Sequence, residues 1–208
     1  MSNAKGTFSA KNIAMLGVLT AFVILFQAGL GAIRIGATSF SLVLIPVVLG
    51  ACLIGPLAGG ILGFVFSLIV FLYGLFGADF FTNVMLNTNF ILTVFIIFAK
   101  GILAGVVPGL LYKALKGVND KLAVTIAALS APIVNTAVFV LILFAFKETF
   151  MQAFLDNKII ADATSWGYFV FIGCAGVNFV VEFCVNLVAT PLFYTVINVV
   201  GEKITHNN

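Results

Sequence analysis

Residues 166–191 read WGYFVFIGCAGVNFVVEFCVNLVATP and are long and apolar enough to cross a bilayer as one helix. Three polar side chains, Asn178, Glu182 and Asn186, interrupt this run at four-residue spacing. At ~100° per residue they fall within roughly 80° of one helix face. A carboxylate in hydrocarbon needs a partner, a cavity or another helix, so this stripe is predicted to point into a bundle. It indicates either a binding pocket, which Glu182 favours, or a seam of hydrogen bonds between helices.

The composition of the whole chain is that of a polytopic membrane protein. Of its 208 residues, 62% are hydrophobic and only 8% are charged, which is outside the range of soluble domains. We therefore predict one all-helical transmembrane domain over residues 1–208. The first apolar run is not expected to be a cleavable signal, because similar runs follow it to the end of the chain. The basic residues are scattered, so the net charge of +3 indicates orientation rather than nucleic-acid binding.

Six apolar segments predict a bundle of six transmembrane helices. They cover residues 12–32, 40–54, 57–77, 89–115, 122–146 and 167–200. The second segment is short for a full span and is expected to be tilted or covered by its neighbours. Gly55 and Pro56 are expected to make the turn that follows it.

Basic residues predict the orientation of this bundle. With the N-terminus in the cytoplasm, six basic residues lie on the inner side and three on the outer side, as the positive-inside rule requires. An even number of spans then places the C-terminus inside as well. The inner set is Lys5, Lys11, Lys113, Lys116, Lys121 and Lys203, and the outer set is Arg34, Lys147 and Lys158 with the acids Asp79, Glu148, Asp156 and Asp162.

The fourth segment carries a second polar stripe. Asn89, Thr93 and Lys100 are spaced by four and seven residues, which places them within roughly 40° of one face. A lysine inside the hydrocarbon needs an anion, a carbonyl or a water-filled cavity. Two interpretations remain open. Lys100 forms a structural ion pair with Glu182, which its depth favours, or it meets a substrate carboxylate.

The fifth segment offers an amide at a depth similar to that of Asn178. Pro132 removes a backbone hydrogen bond and can kink the helix, and Asn135 lies about 16 Å from the outer end. Kinked helices with polar residues near the midplane are typical of transporter sites. A Gly-rich outer loop with Arg34 follows the first segment. It either folds over a pocket mouth or simply carries a surface arginine.

The inventory of reactive side chains predicts that the chain is not an enzyme. Cys52, Cys174 and Cys184 lie in apolar segments and are expected to be reduced. The only histidine, His206, lies in the tail, so no metal site, cofactor or nucleophile–histidine pair is expected. The sequence has no Gly-x-x-x-x-Gly-Lys-Ser/Thr phosphate-binding loop, so any dependence on ATP must come from partners.

The first segment contains small residues at helical spacing. Ala10 with Ala14, and Gly17 with Ala21, form small-xxx-small pairs that allow another helix to approach closely. The approaching helix belongs either to this chain or to a partner.

Residues 40–63 read FSLVLIPVVLGACLIGPLAGGILG and resemble the substrate-binding S-components of energy-coupling-factor (ECF) vitamin transporters. The length, the six-span layout, the inside termini and the small residues of the first helix resemble them too. Three motifs are most similar to the pantothenate branch of that family. They are LVLIPVVLG at residues 42–50, KGILAG at residues 100–105 and PIVNTAVF at residues 132–139.

This resemblance implies a role in vitamin import at a prokaryotic cell membrane. S-components capture a vitamin in a pocket that opens to the outside and is gated by the loop after the first helix. They dock on a transmembrane coupling protein that carries two cytosolic ATPases, and then topple to bring the pocket toward the cytoplasm. The implied docking surface is Ala14, Gly17 and Ala21, with Ala10 beyond them. Gly17 departs from a strict Ala-xxx-Ala pair but still permits close approach.

Pantothenate would suit the polar residues of the chain. Lys100 or Arg34 could bind its carboxylate, the amides could bind its amide and hydroxyl groups, and phenylalanines could surround its apolar part. The expected substrate-binding residues are Asn89, Thr93, Lys100, Asn135, Asn178, Glu182 and Arg34. Two alternatives remain. One is an S-component for folate, riboflavin, pyridoxine or a thiamine precursor. The other is a self-sufficient secondary transporter that couples protons through Glu182 or Lys100, against which the lack of an internal repeat argues.

Overall fold

The computed structural model of the protein describes residues 9–30, 34–35, 38–39, 42–161 and 164–206. Two charges used for the predicted orientation, Lys5 and Asp162, lie outside these ranges. The backbones of Arg34 and Lys203 are described but their side chains are not.

The described chain is almost entirely helical. Its α-helices are α1 (Ala10–Leu30), α2 (Leu44–Leu53), α3 (Pro56–Leu75), α4 (Phe80–Thr88), α5 (Phe90–Leu115), α6 (Asp120–Ala145), α7 (Lys147–Asp156), α8 (Trp166–Tyr168) and α9 (Val177–His206). A π-helix, Phe169–Gly176, joins α8 to α9. Between α1 and α2, the short strands β1 (Arg34–Ile35) and β2 (Thr38–Ser39) form an antiparallel hairpin.

In the described ranges, five helical stretches are long and apolar enough to cross a membrane. They are α1, α3, α5, α6 and the stretch Trp166–Val200, which includes the π-helix. The second predicted segment forms only the ten residues of α2. At ~1.5 Å per residue this helix covers about half of the hydrocarbon thickness. Helices α1, α3, α5, α6 and α9 pack around it, and seven of its residues are buried. The prediction of a short, covered second segment is therefore confirmed, whereas a sixth full span stays a prediction.

The turn between α2 and α3 has the predicted location. Gly55 has a φ angle of +133°, a conformation that side chains rarely adopt. Pro56 is the first residue of α3, where a helix does not use the missing N–H group. The chain therefore reverses direction within two residues.

Helices α3 and α5 pack backbone against backbone. Gly59 and Gly63 of α3 face Gly105 and Gly101 of α5, and a Cβ atom on any of the four would collide with an atom of the other helix. The Ser67 hydroxyl, one turn further along α3, donates a hydrogen bond of 2.9 Å to the Ile97 carbonyl. Small residues at four-residue spacing are the usual means by which membrane helices approach this closely.

The sequence analysis does not predict three elements of the fold. Helix α4 precedes the fourth predicted segment, and α7 lies within a stretch that the polarity of its sequence marks as a connection. The π-helix interrupts the last segment, so that segment is not one continuous α-helix. Helix α7 escapes prediction because tertiary contacts hold it. Its buried residues are Phe150 and Phe154, which join an aromatic cluster.

Two apolar clusters form the interior. The first apolar cluster joins α1, α2, α3, α5, α6 and α9 and includes Val23, Leu44, Leu62, Val124 and Phe193. The aromatic cluster surrounds α4 and α7 and includes Phe81, Phe139, Phe150, Phe154, Trp166 and Phe169. A polar cavity lies between residues of the two clusters.

Candidate functional site

The cavity is lined by seven parts of the fold, from α1 to α9. Half of its eighteen lining residues are polar, which is unusual for the interior of an apolar bundle. The polar ones are Gln27, Asp79, Thr82, Thr93, Lys100, Asn135, Thr136, Asn178 and Glu182. The fold therefore gathers polar side chains that are far apart in sequence around one internal space.

Glu182 is the centre of a small polar group on one side of this cavity. Its side chain is only 3% exposed. The Asn178 amide nitrogen donates a 3.2 Å hydrogen bond to Glu182 Oε1, and the Asn135 amide interacts with the same carboxylate. The Asn186 amide nitrogen donates to the Glu182 backbone carbonyl at 2.9 Å, and Asn186 does not line the cavity. The stripe thus lines a cavity and also joins two helices, through the interaction of Asn135 on α6 with Glu182 on α9, whereas substrate binding by the stripe stays a prediction.

Lys100 reaches the cavity from α5. Its ammonium nitrogen lies 5.2 Å from the centroid of the Phe139 ring on α6, within the range of a cation–π contact. In the described part of the chain, no carboxylate oxygen lies within the 4.0 Å of an ion pair with Lys100. Glu182 and Asp79 attract it from further away. Lys100 and Glu182 therefore line the same cavity without forming a direct ion pair.

The second predicted stripe is only partly continuous. Thr93 lines the cavity on the same face of α5 as Lys100, and its hydroxyl donates a 2.8 Å hydrogen bond to the Met85 carbonyl of α4. Asn89 precedes the first residue of α5 and caps it, because its side-chain oxygen accepts a hydrogen bond from Leu92 N at 3.0 Å. Asn89 is not among the lining residues, so its substrate contact stays a prediction.

The sequence analysis misses several cavity residues. Gln27 of α1 is 2% exposed and lines the cavity, although its place near the end of the first segment is typical of an interfacial residue. Asp79 and Thr82 also line it, and the Thr82 hydroxyl donates to the Asp79 carboxylate. The only sequence signal for Gln27 is that it is an amide side chain within an apolar run. Asp79 and Thr82 depend on α4, which the sequence does not reveal.

The remaining candidates from the sequence are Arg34, the three cysteines and the residues considered for a metal site. The side chain of Arg34 is outside the described residues, so its predicted role stays a prediction. Cys52 and Cys174 are buried, Cys184 is exposed, and Cys174 lines the cavity. Within the described ranges, no group of three or more His, Cys, Asp or Glu residues could hold a metal ion.

The small residues of α1 lie on its outer face. Ala14, Gly17 and Ala21 are exposed, and a Cβ atom added at Gly17 would have no neighbour within 4 Å. The opposite face carries Leu19 and Val23 into the first apolar cluster. Among the described residues, no helix of this chain packs closely on these small residues, and docking of a partner there stays a prediction.

The helices and the cavity define a multi-pass membrane protein with an internal site for a small molecule. The family model for the ECF transporter, substrate-specific component, matches residues 11–200, and the chain belongs to this family. A comparison with curated proteins finds no match. Membership confirms the resemblance at the family level. The chain is a substrate-binding transporter subunit rather than an enzyme, with a small-molecule substrate and an ECF module as its partner.

Proposed function

We propose that this chain is the vitamin-binding subunit of an ATP-driven importer and that its substrate is pantothenate. The observation that carries this proposal is the internal cavity, in which one lysine, two carboxylates and two asparagines meet phenylalanine rings. Small-molecule sites combine apolar and aromatic walls with a few placed polar groups, and this cavity offers both. The choice of pantothenate rests on the motif resemblance and on this chemistry.

The substrate would contact both the polar groups and the apolar wall of the cavity. Lys100 is available for a charge-assisted hydrogen bond to a carboxylate, because no described carboxylate pairs with it directly. Asn135 and Asn178 offer donors and acceptors to an amide and to hydroxyl groups. Phe66, Phe81 and Phe139 supply an apolar wall for a branched hydrocarbon core.

The proposed orientation places α4 and α7 outside. Lys113, Lys116 and Lys121 lie where α5 ends and α6 begins, at the end of the bundle opposite α4 and α7. The positive-inside rule would put this basic end in the cytoplasm. The cavity, which extends from Asp79 at the start of α4 to Lys100, would then be reached from outside.

The proposed docking surface is the outer face of α1. Of the five candidate spans, α1 has the smallest buried share, so most of its surface is available to a partner. Ala14, Gly17 and Ala21 share this face and leave room for a second helix to approach. The partner would be the transmembrane coupling protein, with its two ATPases in the cytoplasm. Toppling of the docked subunit would carry the cavity inward.

The test is a thermal-shift screen of the purified chain against pantothenate, folate, riboflavin, pyridoxine and thiamine precursors. Ligand that binds only the folded state raises the unfolding temperature. We expect pantothenate to give the largest shift. A larger shift with another vitamin would reassign the substrate and leave the transporter class intact. No shift with any vitamin, in a folded sample, would contradict the vitamin-binding role.

A further inference from the structure

Among the residues that the structure describes, three oxygen atoms in the cavity wall accept no hydrogen bond. They are Asn135 Oδ1, Asn178 Oδ1 and Glu182 Oε2, each buried from solvent. Asn135 and Glu182 are at least nine-tenths buried as whole residues. The Asn178 amide nitrogen already donates to Glu182 Oε1, which fixes its oxygen as the free end. Buried acceptors without donors carry a free-energy cost that is recovered when a donor arrives.

Within the described part of the chain, no side chain or backbone group donates to these three oxygens. The hydroxyl groups of Thr82 and Thr93 already donate to Asp79 and to the Met85 carbonyl. The Lys100 ammonium lies over the Phe139 ring, and no ion pair within 4.0 Å joins it to Glu182 among the described residues. A metal cation does not suit this site either, because Lys100 places a positive charge in the same cavity.

Helix α6 contacts both of the helices that carry the charged groups. It packs against α5, which carries Lys100, and against α9, which carries Glu182. Phe139 of α6 lies beneath Lys100, whereas Asn135, one helical turn earlier, interacts with Glu182. The cavity therefore has a cationic part near Phe139 and an acceptor-rich part near Asn135.

We propose that Asn135, Asn178 and Glu182 form a subsite that binds the hydrogen-bond donors of the substrate, while Lys100 binds its acidic group. The substrate class is a small acid that carries at least two hydroxyl or N–H groups away from the acid. Glu182 is thus a ligand-binding residue and not the structural counter-ion of Lys100. This inference rests on the proposed function, because it assigns parts of the same cavity.

The first arm of the test measures binding by calorimetry with the full chain in nanodiscs. The probes are pantothenate, panthenol, in which an alcohol replaces the carboxylate, and the pantothenate analogue in which both hydroxyls are replaced by hydrogen. We expect the wild type to prefer pantothenate over each analogue by roughly ten- to a hundredfold. Glu182→Gln should remove most of the preference over the dihydroxyl-deleted analogue and keep the preference over panthenol. Lys100→Met should remove most of the preference over panthenol and keep the preference over the dihydroxyl-deleted analogue.

Asn186→Ala is the matched control. Asn186 also has a buried oxygen without a donor, but it does not line the cavity. We expect both preferences to survive in this variant. If Glu182→Gln weakens all three probes by the same factor, or leaves both preferences intact, the donor subsite is overturned while pantothenate binding stands.

The second arm needs no vitamin and therefore separates this inference from the proposed substrate. It compares thermal unfolding of the ligand-free wild type, Glu182→Gln, Lys100→Met and the double variant. A donor subsite predicts that Glu182→Gln unfolds at the same or a higher temperature, since a neutral amide costs less to bury than a carboxyl group whose Oε2 has no donor. A structural pair predicts that both single changes lower the unfolding temperature and that the double change partly restores it. That pattern, or failure of Glu182→Gln to fold, would overturn the inference. If the wild-type chain does not bind pantothenate, only the choice of substrate is overturned.

Discussion

Asn135 and Asn178 are the two neutral residues that best define the site. They lie on different helices, α6 and α9, and both line the cavity close to Glu182. Pro132, one turn before Asn135, cannot donate to the Ala128 carbonyl and so loosens α6 at this level. An amide that faced lipid would lack partners, so both side chains turn inward.

Replacing either asparagine by leucine should weaken substrate binding. If the amide contacts the ligand, the change leaves a ligand group unpaired, which costs about 1–3 kcal/mol, or roughly ten- to a hundredfold in Kd. Titration calorimetry of Asn135→Leu and Asn178→Leu measures this directly. The exposed Asn87 of α4 gives a control with the same substitution, and Asn87→Leu should bind normally. Unchanged affinity in both cavity variants, with the fold intact, would show that these amides only join helices.

The residues that sequence predicted best are those that the membrane penalises most. Lys100, Glu182, Asn135 and Asn178 are polar groups in apolar runs, and all of them line the cavity. Hydrocarbon forces such groups inward wherever the bundle forms, so their direction can be inferred without the fold. Asn89 shows the limit. Its spacing matched the stripe, but the helix begins one residue later and uses its side chain as a cap.

At the level of elements, the α3–α5 contact sets the frame in which the cavity lies. Lys100 directly precedes Gly101, which packs against Gly63 and Ser67 of α3. The same close approach that joins the two helices therefore fixes the position of the Lys100 backbone. The motif KGILAG at residues 100–105 carries both functions, a cavity lysine followed by two contact glycines.

Gly63→Ala should destabilise the fold. The new Cβ atom would collide with the backbone of Gly101, which cannot move aside as a flexible side chain would. We expect a loss of about 1–3 kcal/mol, as for other overpacked interiors, and a lower unfolding temperature. Gly29→Ala in α1 adds the same atom where nothing lies within 4 Å, so it should be neutral or slightly stabilising. Equal unfolding temperatures for the two variants would contradict backbone-to-backbone packing at this crossing.

Length and hydropathy located the long helices, but they could not locate the elements held by tertiary contacts. Five long apolar helical stretches and the short α2 match the predicted segments to within a few residues. Helix α7 depends on the stacking of Phe150 on Phe154 and of Phe154 on Trp166. The π-helix depends on a local insertion into the helical pattern that has no periodic signal. The π-helix contributes Cys174 and Ala175 to the cavity wall, so the sequence predicted the polar residues of the site better than the walls around them.

The outer face of α1 gives a prediction about assembly. Gly17→Leu or Ala21→Leu should block association with the ECF module while substrate binding remains, because added bulk prevents close helix approach. Co-purification with the module and titration with the vitamin measure the two properties separately. Ala137→Leu introduces the same bulk at an exposed position of α6 and should assemble normally. Normal co-purification of both α1 variants with the module would contradict the proposed docking surface.

At the scale of the whole molecule, the charge difference between the two ends predicts its orientation. Lys116 is exposed at the basic end and Lys147 is exposed at the start of α7. In a variant without native cysteines, Lys116→Cys should react with a membrane-impermeant thiol reagent only after the cells are permeabilised. Lys147→Cys should react in intact cells. The opposite pattern would place the cavity side of the bundle in the cytoplasm and contradict capture from outside.

The energy source for transport separates this protein from a secondary transporter. The chain carries a binding cavity but no phosphate-binding loop, so it should bind its vitamin alone and accumulate it only with partners. Vesicles that contain the purified chain should show binding without ATP hydrolysis and no uptake against a gradient. Addition of the coupling protein and two ATPases, with ATP, should start uptake, and Gly17→Leu should abolish it without changing the binding of the vitamin. The secondary-transporter alternative is tested by imposing a proton gradient on vesicles that contain the chain alone. Accumulation there, lost in Glu182→Gln, would mean that the buried carboxylate couples protons and that the ATP-driven mechanism is wrong.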